Sequence, residues 1–122
     1  MKRVLLVDDD PHLLELIKTV LKQKGYEVTV ARSGQECLDW LERMKPDLIL
    51  LDVMMPGMDG KEVCRRIRAN PETKDLKIAF LTVMQKYDIG IEFMEKLNVL
   101  DCLTKSFPQE DLLDKVDQIL QK

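Results

Sequence analysis

The 122 residues suffice for one domain and leave no room for a second hydrophobic core. Hydrophobic residues make up 45% and charged residues 34%, and Lys+Arg 19 against Asp+Glu 22 gives a net charge of -3, which excludes intrinsic disorder and the basic excess of a general nucleic-acid binder. No apolar run approaches the ~20 residues of a membrane span, Val4 to Val7 is too short for a signal peptide, and three scattered cysteines with one histidine exclude a disulfide frame or a multi-histidine metal site, leaving reduced thiols in a cytoplasmic protein.

Short apolar runs alternate with amphipathic stretches along the chain. Val4-Leu5-Leu6-Val7 is apolar throughout, as a strand buried on both faces must be. Asp10-Pro11 opens a helix, with an N-cap acceptor followed by proline at the first position, and Leu13, Leu14, Ile17, Val20 and Leu21 recur at helical spacing before Gly25 ends it. Glu27 to Ala31 reads as a second strand. Ser33-Gly34-Gln35-Glu36 is a capping box before a helix carrying Cys37, Leu38, Leu41 and Met44 on its apolar side. Leu48 to Leu51 is a third strand. Asp59-Gly60-Lys61-Glu62 repeats the box ahead of Val63, Cys64 and Ile67, and Asn70-Pro71 breaks that helix. Ile78 to Leu81 is a fourth strand, Gln85 to Leu97 a helix with a weak stripe interrupted by Gly90, and Val99 to Leu103 a fifth strand. Pro108 opens the last helix, whose apolar positions include Leu112, Val116 and Ile119.

Five strands alternating with five helices make a doubly wound α/β sandwich over residues 1–122. Neither linker nor repeat interrupts it, so any further domain is absent or was removed. Polar residues follow the strands directly: Asp8, Asp9 and Asp10 after the first, Asp52 after the third, Thr82 at the end of the fourth and Lys105 after the fifth. In an open parallel sheet these positions converge at the carboxyl edge, where ligands bind. Three carboxylates there repel one another unless some are protonated or a cation sits among them. Mg²⁺ suits a site with few oxygen ligands, and it leaves positions open to a phosphate that Lys105 and the Thr82 hydroxyl also reach. Asp52, on the central strand, becomes the nucleophile for a phosphoryl group, and Asp8 and Asp9 hold the metal.

Val7-Asp8-Asp9-Asp10, the run Asp52-Val53-Met54-Met55-Pro56-Gly57-Met58-Asp59-Gly60, Leu81-Thr82 and Thr104-Lys105 together resemble the receiver domain of two-component response regulators. The resemblance covers the whole chain and implies a flavodoxin-like sheet of order 2-1-3-4-5. It implies Asp52 as phosphoacceptor, Asp9 as direct Mg²⁺ ligand, Asp8 as a ligand largely through water, the Met54 backbone carbonyl as a further ligand, and Thr82 and Lys105 on the phosphoryl oxygens. The implied donor is a phosphohistidine on a sensor histidine kinase or phosphotransfer protein, with small phosphodonors as substitutes. The implied output is partner binding at the face of the fourth helix and fifth strand, around Tyr87, Phe93 and Asp101. The domain is expected to catalyse only its own phosphorylation and dephosphorylation, to bind neither nucleic acid nor membrane, and to be a monomer or a weak phosphorylation-dependent dimer.

Four positions depart from that pattern. Val83 stands where a small residue is usual, Cys102 where an aromatic responds to phosphorylation, Asn98-Val99 where a small pair precedes the strand, and Ser106 where proline with a cis bond follows the lysine. A cis bond without proline costs about 2.5–4 kcal/mol, so if this loop needs cis geometry, local packing such as that of Phe107 and Pro108 must offset the strain; the isomer is left open by the sequence. These departures keep a second reading open, a receiver-fold interaction module that no longer switches. A third, an aspartyl-phosphate phosphatase suggested by Asp8-x-Asp10, lacks a cap domain and the hydroxyl residue at Pro11. Asp10 reads as an N-cap, His12 as a surface residue, Cys37, Cys64 and Trp40 as helix packing, and Met54, Met55 and Met58 as loop packing.

Overall fold

A computed structural model describes residues 1–106 and 108–121. The elements run β1 (Arg3–Val7), α1 (Pro11–Gln23), β2 (Glu27–Ala31), α2 (Gly34–Leu41), β3 (Leu48–Leu51), α3 (Gly60–Ala69), β4 (Ile78–Thr82), α4 (Lys86–Ile89), α5 (Ile91–Lys96), β5 (Val99–Thr104) and α6 (Gln109–Leu120). The strands form one parallel sheet in the order β2-β1-β3-β4-β5. Strand alternation divides the core in two. Leu5, Val7, Ile49, Leu51 and Phe80 face α2, α3 and α5, and Leu6, Leu50, Ala79 and Leu81 face α1 and α6. Because both faces are covered, Val4–Val7 of β1, all of β3 and Ile78–Leu81 of β4 have no polar position to spare, which is why they read as unbroken apolar runs.

The helix starts follow the sequence signals. Asp10 Oδ1 accepts the His12 and Leu13 amides at 3.0 and 3.4 Å, Ser33 Oγ accepts Glu36 N at 3.1 Å, and Asp59 Oδ1 accepts Glu62 N at 2.9 Å. The Glu62 carboxylate pairs with Arg66 at 3.0 Å and Arg65 at 3.3 Å, and those partners hold its pKa below the ordinary 4.5. Cys37 and Cys64 are buried in the core, Trp40 is half-buried against it, and His12 is exposed, as expected.

Two expectations need correction, and one open question is answered. The stretch from Gln85 to Leu97 is two short helices, so the described residues contain six helices instead of five. Gly90 divides them at φ 105°, a left-handed conformation that interrupts the helical ladder and that glycine adopts without a Cβ clash. The second helix stops at Leu41, so Met44 lies beyond it in the following turn. Cis geometry is not used after Lys105: no cis peptide occurs among the described residues, so Lys105–Ser106 is trans. Phe107, considered above as an offset for strain there, lies outside the described residues. Asn98 enters β5 at φ 54°, a conformation asparagine tolerates better than most side chains. No helix among the described residues is long and apolar enough to cross a membrane.

Candidate functional site

The register of the sheet builds the site. Val7 pairs with Leu51, so Asp8 and Asp52 leave β1 and β3 at the same level, and the Asp52 amide donates to Val7 O at 3.0 Å. Asp8 and Asp52 are buried, at 2% and 1% exposure, while Asp9 is exposed. One carboxylate oxygen from each of Asp8, Asp9 and Asp52 lies within 4.8 Å of the others. Backbone donors orient the buried pair: Asp10 N donates to Asp8 Oδ1 at 2.9 Å, and Met54 N donates to Asp52 Oδ1 at 3.2 Å. That second bond holds the Met54 backbone beside Asp52, while its side chain is exposed.

Lys105 reaches in from the end of β5. Its amide donates to Thr82 O at 3.0 Å, and its ammonium lies 2.7 Å from Asp8 Oδ2 and 3.0 Å from Asp52 Oδ2. Thr82 is fully buried at the end of β4, and its hydroxyl oxygen accepts Met84 N at 3.4 Å. Every predicted site residue therefore sits at the carboxyl edge, and the three acids with Lys105 share one cluster.

The electrostatics match that crowding. Burial pushes the Asp8 carboxyl above its ordinary 3.8, against the bonds it receives from Lys105 and the Asp10 amide, and Asp52 raises it further. Burial works to lower the Lys105 pKa, but its bonds to Asp8 and Asp52 outweigh this and hold it above 10.5. Three carboxylates against one ammonium leave excess negative charge, which a hard divalent cation with oxygen ligands would neutralise. The acidic trio fits the Mg²⁺ site of a receiver domain.

Some of the design was not legible beforehand. Lys105 was expected at the phosphoryl position, and its grip on Asp8 comes from a side chain that reaches from the end of β5 past the ends of β4 and β3 to that of β1. A Cβ on Gly60 would come 2.2 Å from Asp52 O, so this glycine lets α3 start against the backbone of Asp52. Phe93, expected on the output face, faces the other way: its ring stacks on Phe80 at 6.5 Å between centroids, beneath Lys61 and Arg65 at 5.1 and 5.2 Å. The short α5 presents this ring to the core because Gly90 resets the helical phase. Tyr87 is 81% exposed, and Asp101 lies between Lys86 at 3.7 Å and Lys115 at 3.8 Å.

Comparison with known proteins agrees with this geometry. Residues 4–117 match the family model of the response regulator receiver domain. The chain is 34% identical over 122 residues to the DNA-binding dual master transcriptional regulator RpaA of Synechocystis sp., covering 100% of this chain and 50% of that protein. It is 37% identical over 120 residues to the response regulator MprA of Mycolicibacterium vanbaalenii, covering 98% of this chain and 51% of that protein. The chain thus spans about half the length of the curated relatives it matches. Among solved structures, the Vibrio cholerae chemotaxis protein CheY4 superposes with a TM-score of 0.90 at 29% identity, covering 98% of each chain. The response regulator TrrA of Thermotoga maritima, solved in complex with Mg²⁺ and beryllium fluoride, superposes with a TM-score of 0.85 at 37% identity, covering 98% of this chain and 99% of that one. With a parallel sheet in the 2-1-3-4-5 order, an acidic trio met by a lysine at its carboxyl edge, and a family match over nearly the whole length, the chain belongs to the response regulator receiver domain family.

Proposed function

We propose that this chain accepts a phosphoryl group on Asp52 from a phosphohistidine of a sensor kinase or phosphotransfer protein, in a Mg²⁺-dependent reaction, and thereby switches the binding of a partner. The observation that carries the reading is the Lys105 ammonium between two buried carboxylates, 2.7 Å from Asp8 and 3.0 Å from Asp52, beside a third. Structural ion pairs rarely bury excess negative charge in this way, whereas phosphoryl transfer needs an acceptor oxygen flanked by fixed cations.

In this reading Asp8, Asp9, Asp52 and the Met54 carbonyl hold the Mg²⁺. When bound, the metal supplies a Lewis-acidic contact that neutralises charge on the phosphoryl oxygens. An Asp52 oxygen attacks phosphorus in line, the O–P bond forms as the donor's N–P bond breaks, and the imidazole leaves with its electron pair and takes up a proton. Lys105 moves its ammonium from the carboxylates onto the incoming phosphoryl oxygens, and Thr82 donates its hydroxyl proton to one of them. No other turnover is proposed. The protein works in the cytoplasm with its thiols free, as a monomer or a weak phosphorylation-dependent dimer. DNA binding of the kind named for RpaA is assigned to the half of such relatives that this chain does not match, since a net charge of -3 supplies no basic footprint.

Intact-mass measurement after treatment with a small acyl phosphate and Mg²⁺ tests the reading. A gain of one phosphoryl group is expected, lost with EDTA and absent from Asp52→Asn. An unmodified chain whose partner binding is also unchanged in Asp52→Asn would establish the non-switching interaction module in its place.

A further inference from the structure

Of the seven methionines, all among the described residues, only Met1 and Met54 are exposed. Met1 is 91% exposed and precedes β1, at the edge of the sheet away from the acids. Met54 is 57% exposed and stands just past Asp52, whose Oδ1 accepts its amide at 3.2 Å. It borders an open cavity of about 570 Å³ that Met55, Pro56, Met84 and Lys61 also line. One thioether beside the acidic site is thus in water, while Met55 and Met94 are buried and Met84 is half-buried.

The thiols, ordinarily the faster targets of an oxidant, are withheld. Cys37 and Cys64 are 0% exposed and Cys102 is 7% exposed, with its thiol donating to the Met84 carbonyl at a sulfur–oxygen distance of 3.9 Å. Burial pushes the Cys37 thiol up to about 12 and the Cys64 thiol up to about 11, and it raises that of Cys102 as well. The thiolate is the reactive form, so all three are poor nucleophiles at neutral pH. A thioether has no proton to lose, and its reactivity follows its exposure.

We infer that Met54 is an oxidation site through which a peroxide acts on the phosphoacceptor; its effect, though not the modification itself, rests on the reading of Asp52 given above. The Met54 sulfur attacks one oxygen of hydrogen peroxide, the O–O bond breaks, and the departing hydroxide takes the proton of the transferred oxygen. The thioether is oxidised by two electrons to the sulfoxide, and the peroxide is reduced by two electrons to water. A polar side chain then stands where an apolar one stood. The thioether keeps water from one side of the acyl phosphate, whereas the sulfoxide oxygen accepts hydrogen bonds from water and from the ammonium of Lys61 on the same cavity. Oxidation therefore hydrates the rim of the site and shortens the life of the phosphorylated form.

Peptide mapping of the folded chain after graded hydrogen peroxide is expected to find sulfoxide at Met1 and Met54 about tenfold sooner than at any other methionine, with the cysteines unoxidised. When the oxidised chain is charged by a small acyl phosphate with Mg²⁺, the acyl phosphate on Asp52 decays severalfold faster. Methionine sulfoxide reductases, one for each sulfoxide epimer, restore the original rate. Met54→Leu, compared with its own untreated form, shows no change in decay on peroxide treatment even though Met1 still gains oxygen. Oxidation of Met55, Met84 or Cys102 as fast as Met54 overturns the assignment. So does an unchanged decay rate in chains that carry the Met54 sulfoxide, or an acceleration that persists in Met54→Leu. A chain that takes up no phosphoryl group before oxidation removes the reading of Asp52 and the effect with it, an outcome the oxidation map distinguishes because it needs no phosphorylation.

Discussion

The Lys105 ammonium sits 2.7 Å from Asp8 Oδ2, closer than its 3.0 Å approach to Asp52. Its nearest partner is therefore an expected metal ligand, and it serves as resident counter-ion to a carboxyl that burial already holds above its ordinary pKa.

Lys105→Met leaves two buried carboxylates facing each other without compensation. Removing one partner of a fully buried pair costs roughly 3–5 kcal/mol, and the residual exposure of this site reduces the expected loss to about 2 kcal/mol at neutral pH. The wild-type contribution has a defined window. Because the folded Lys105 pKa is raised, its stabilisation is complete below 10.5 and fades as pH climbs past that value. Urea unfolding of both forms at pH 7 and pH 11 checks this, with the difference between them shrinking at the higher pH.

Asp8→Asn is expected to stabilise the fold by about 1 kcal/mol at neutral pH, at the expense of cation binding. A carboxyl whose folded pKa is raised contributes most stability while protonated and loses it as pH rises through the folded value. Wild-type Tm should therefore fall as pH rises from the ordinary Asp range through that raised value, and the variant should show a flatter profile. A lower Tm for the variant at pH 7 contradicts this account.

Mg²⁺ should raise Tm in a concentration-dependent way, since it binds the folded trio and not the dispersed acids of the unfolded chain. Mass action gives about 2.7 kcal/mol at a free concentration near a hundred times Kd. Asp9→Asn alters an exposed acid, so its own stability should change by less than about 0.5 kcal/mol while the Mg²⁺-induced shift collapses. Differential scanning fluorimetry with and without EDTA separates the two effects.

Gly60→Ala inserts a methyl group 2.2 Å from Asp52 O and 2.7 Å from Val53 Cα. Backbone must move, at roughly 1–3 kcal/mol. The movement displaces the strand end that carries Asp52, so phosphorylation should slow even at temperatures where the variant is folded. Circular dichroism together with a timed phosphorylation assay checks both.

Arg68 donates to four carbonyls, Leu97 at 2.6 Å, Leu76 at 2.6 Å, Lys74 at 2.8 Å and Asn98 at 3.2 Å, stitching α3 to the turns before β4 and β5. Arg68→Met should cost about 2 kcal/mol, because charged donors are lost and part-buried carbonyls keep no equivalent partner. Lysine should not rescue it, since its compact ammonium cannot span four carbonyls.

Strand positions were legible because β1, β3 and β4 each carry a run that is apolar on both faces, with a polar residue directly after it, Asp8, Asp52 and Thr82. The site was legible for the same reason, as the acids and Thr82 stand at or just beyond those strand ends and Lys105 directly follows β5. What escaped was set by contacts that sequence spacing does not encode. The inward turn of Phe93 depends on Gly90 resetting the helical phase, and the closeness of Gly60 to Asp52 depends on how α3 docks. The Met84 bridge between Thr82 and Cys102 depends on the path of a loop between β4 and α4.

The pairing of Val7 with Leu51 carries a consequence for how this protein can fail. The spacing of the acids is inherited from the sheet's innermost ladder, whereas the face proposed to meet a partner rests on two helices of four and six residues at its margin. Warming or surface mutation will melt the margin first. On the function proposed above, damaged forms of this chain are expected to be mute receivers, still able to take up phosphate but unable to announce it.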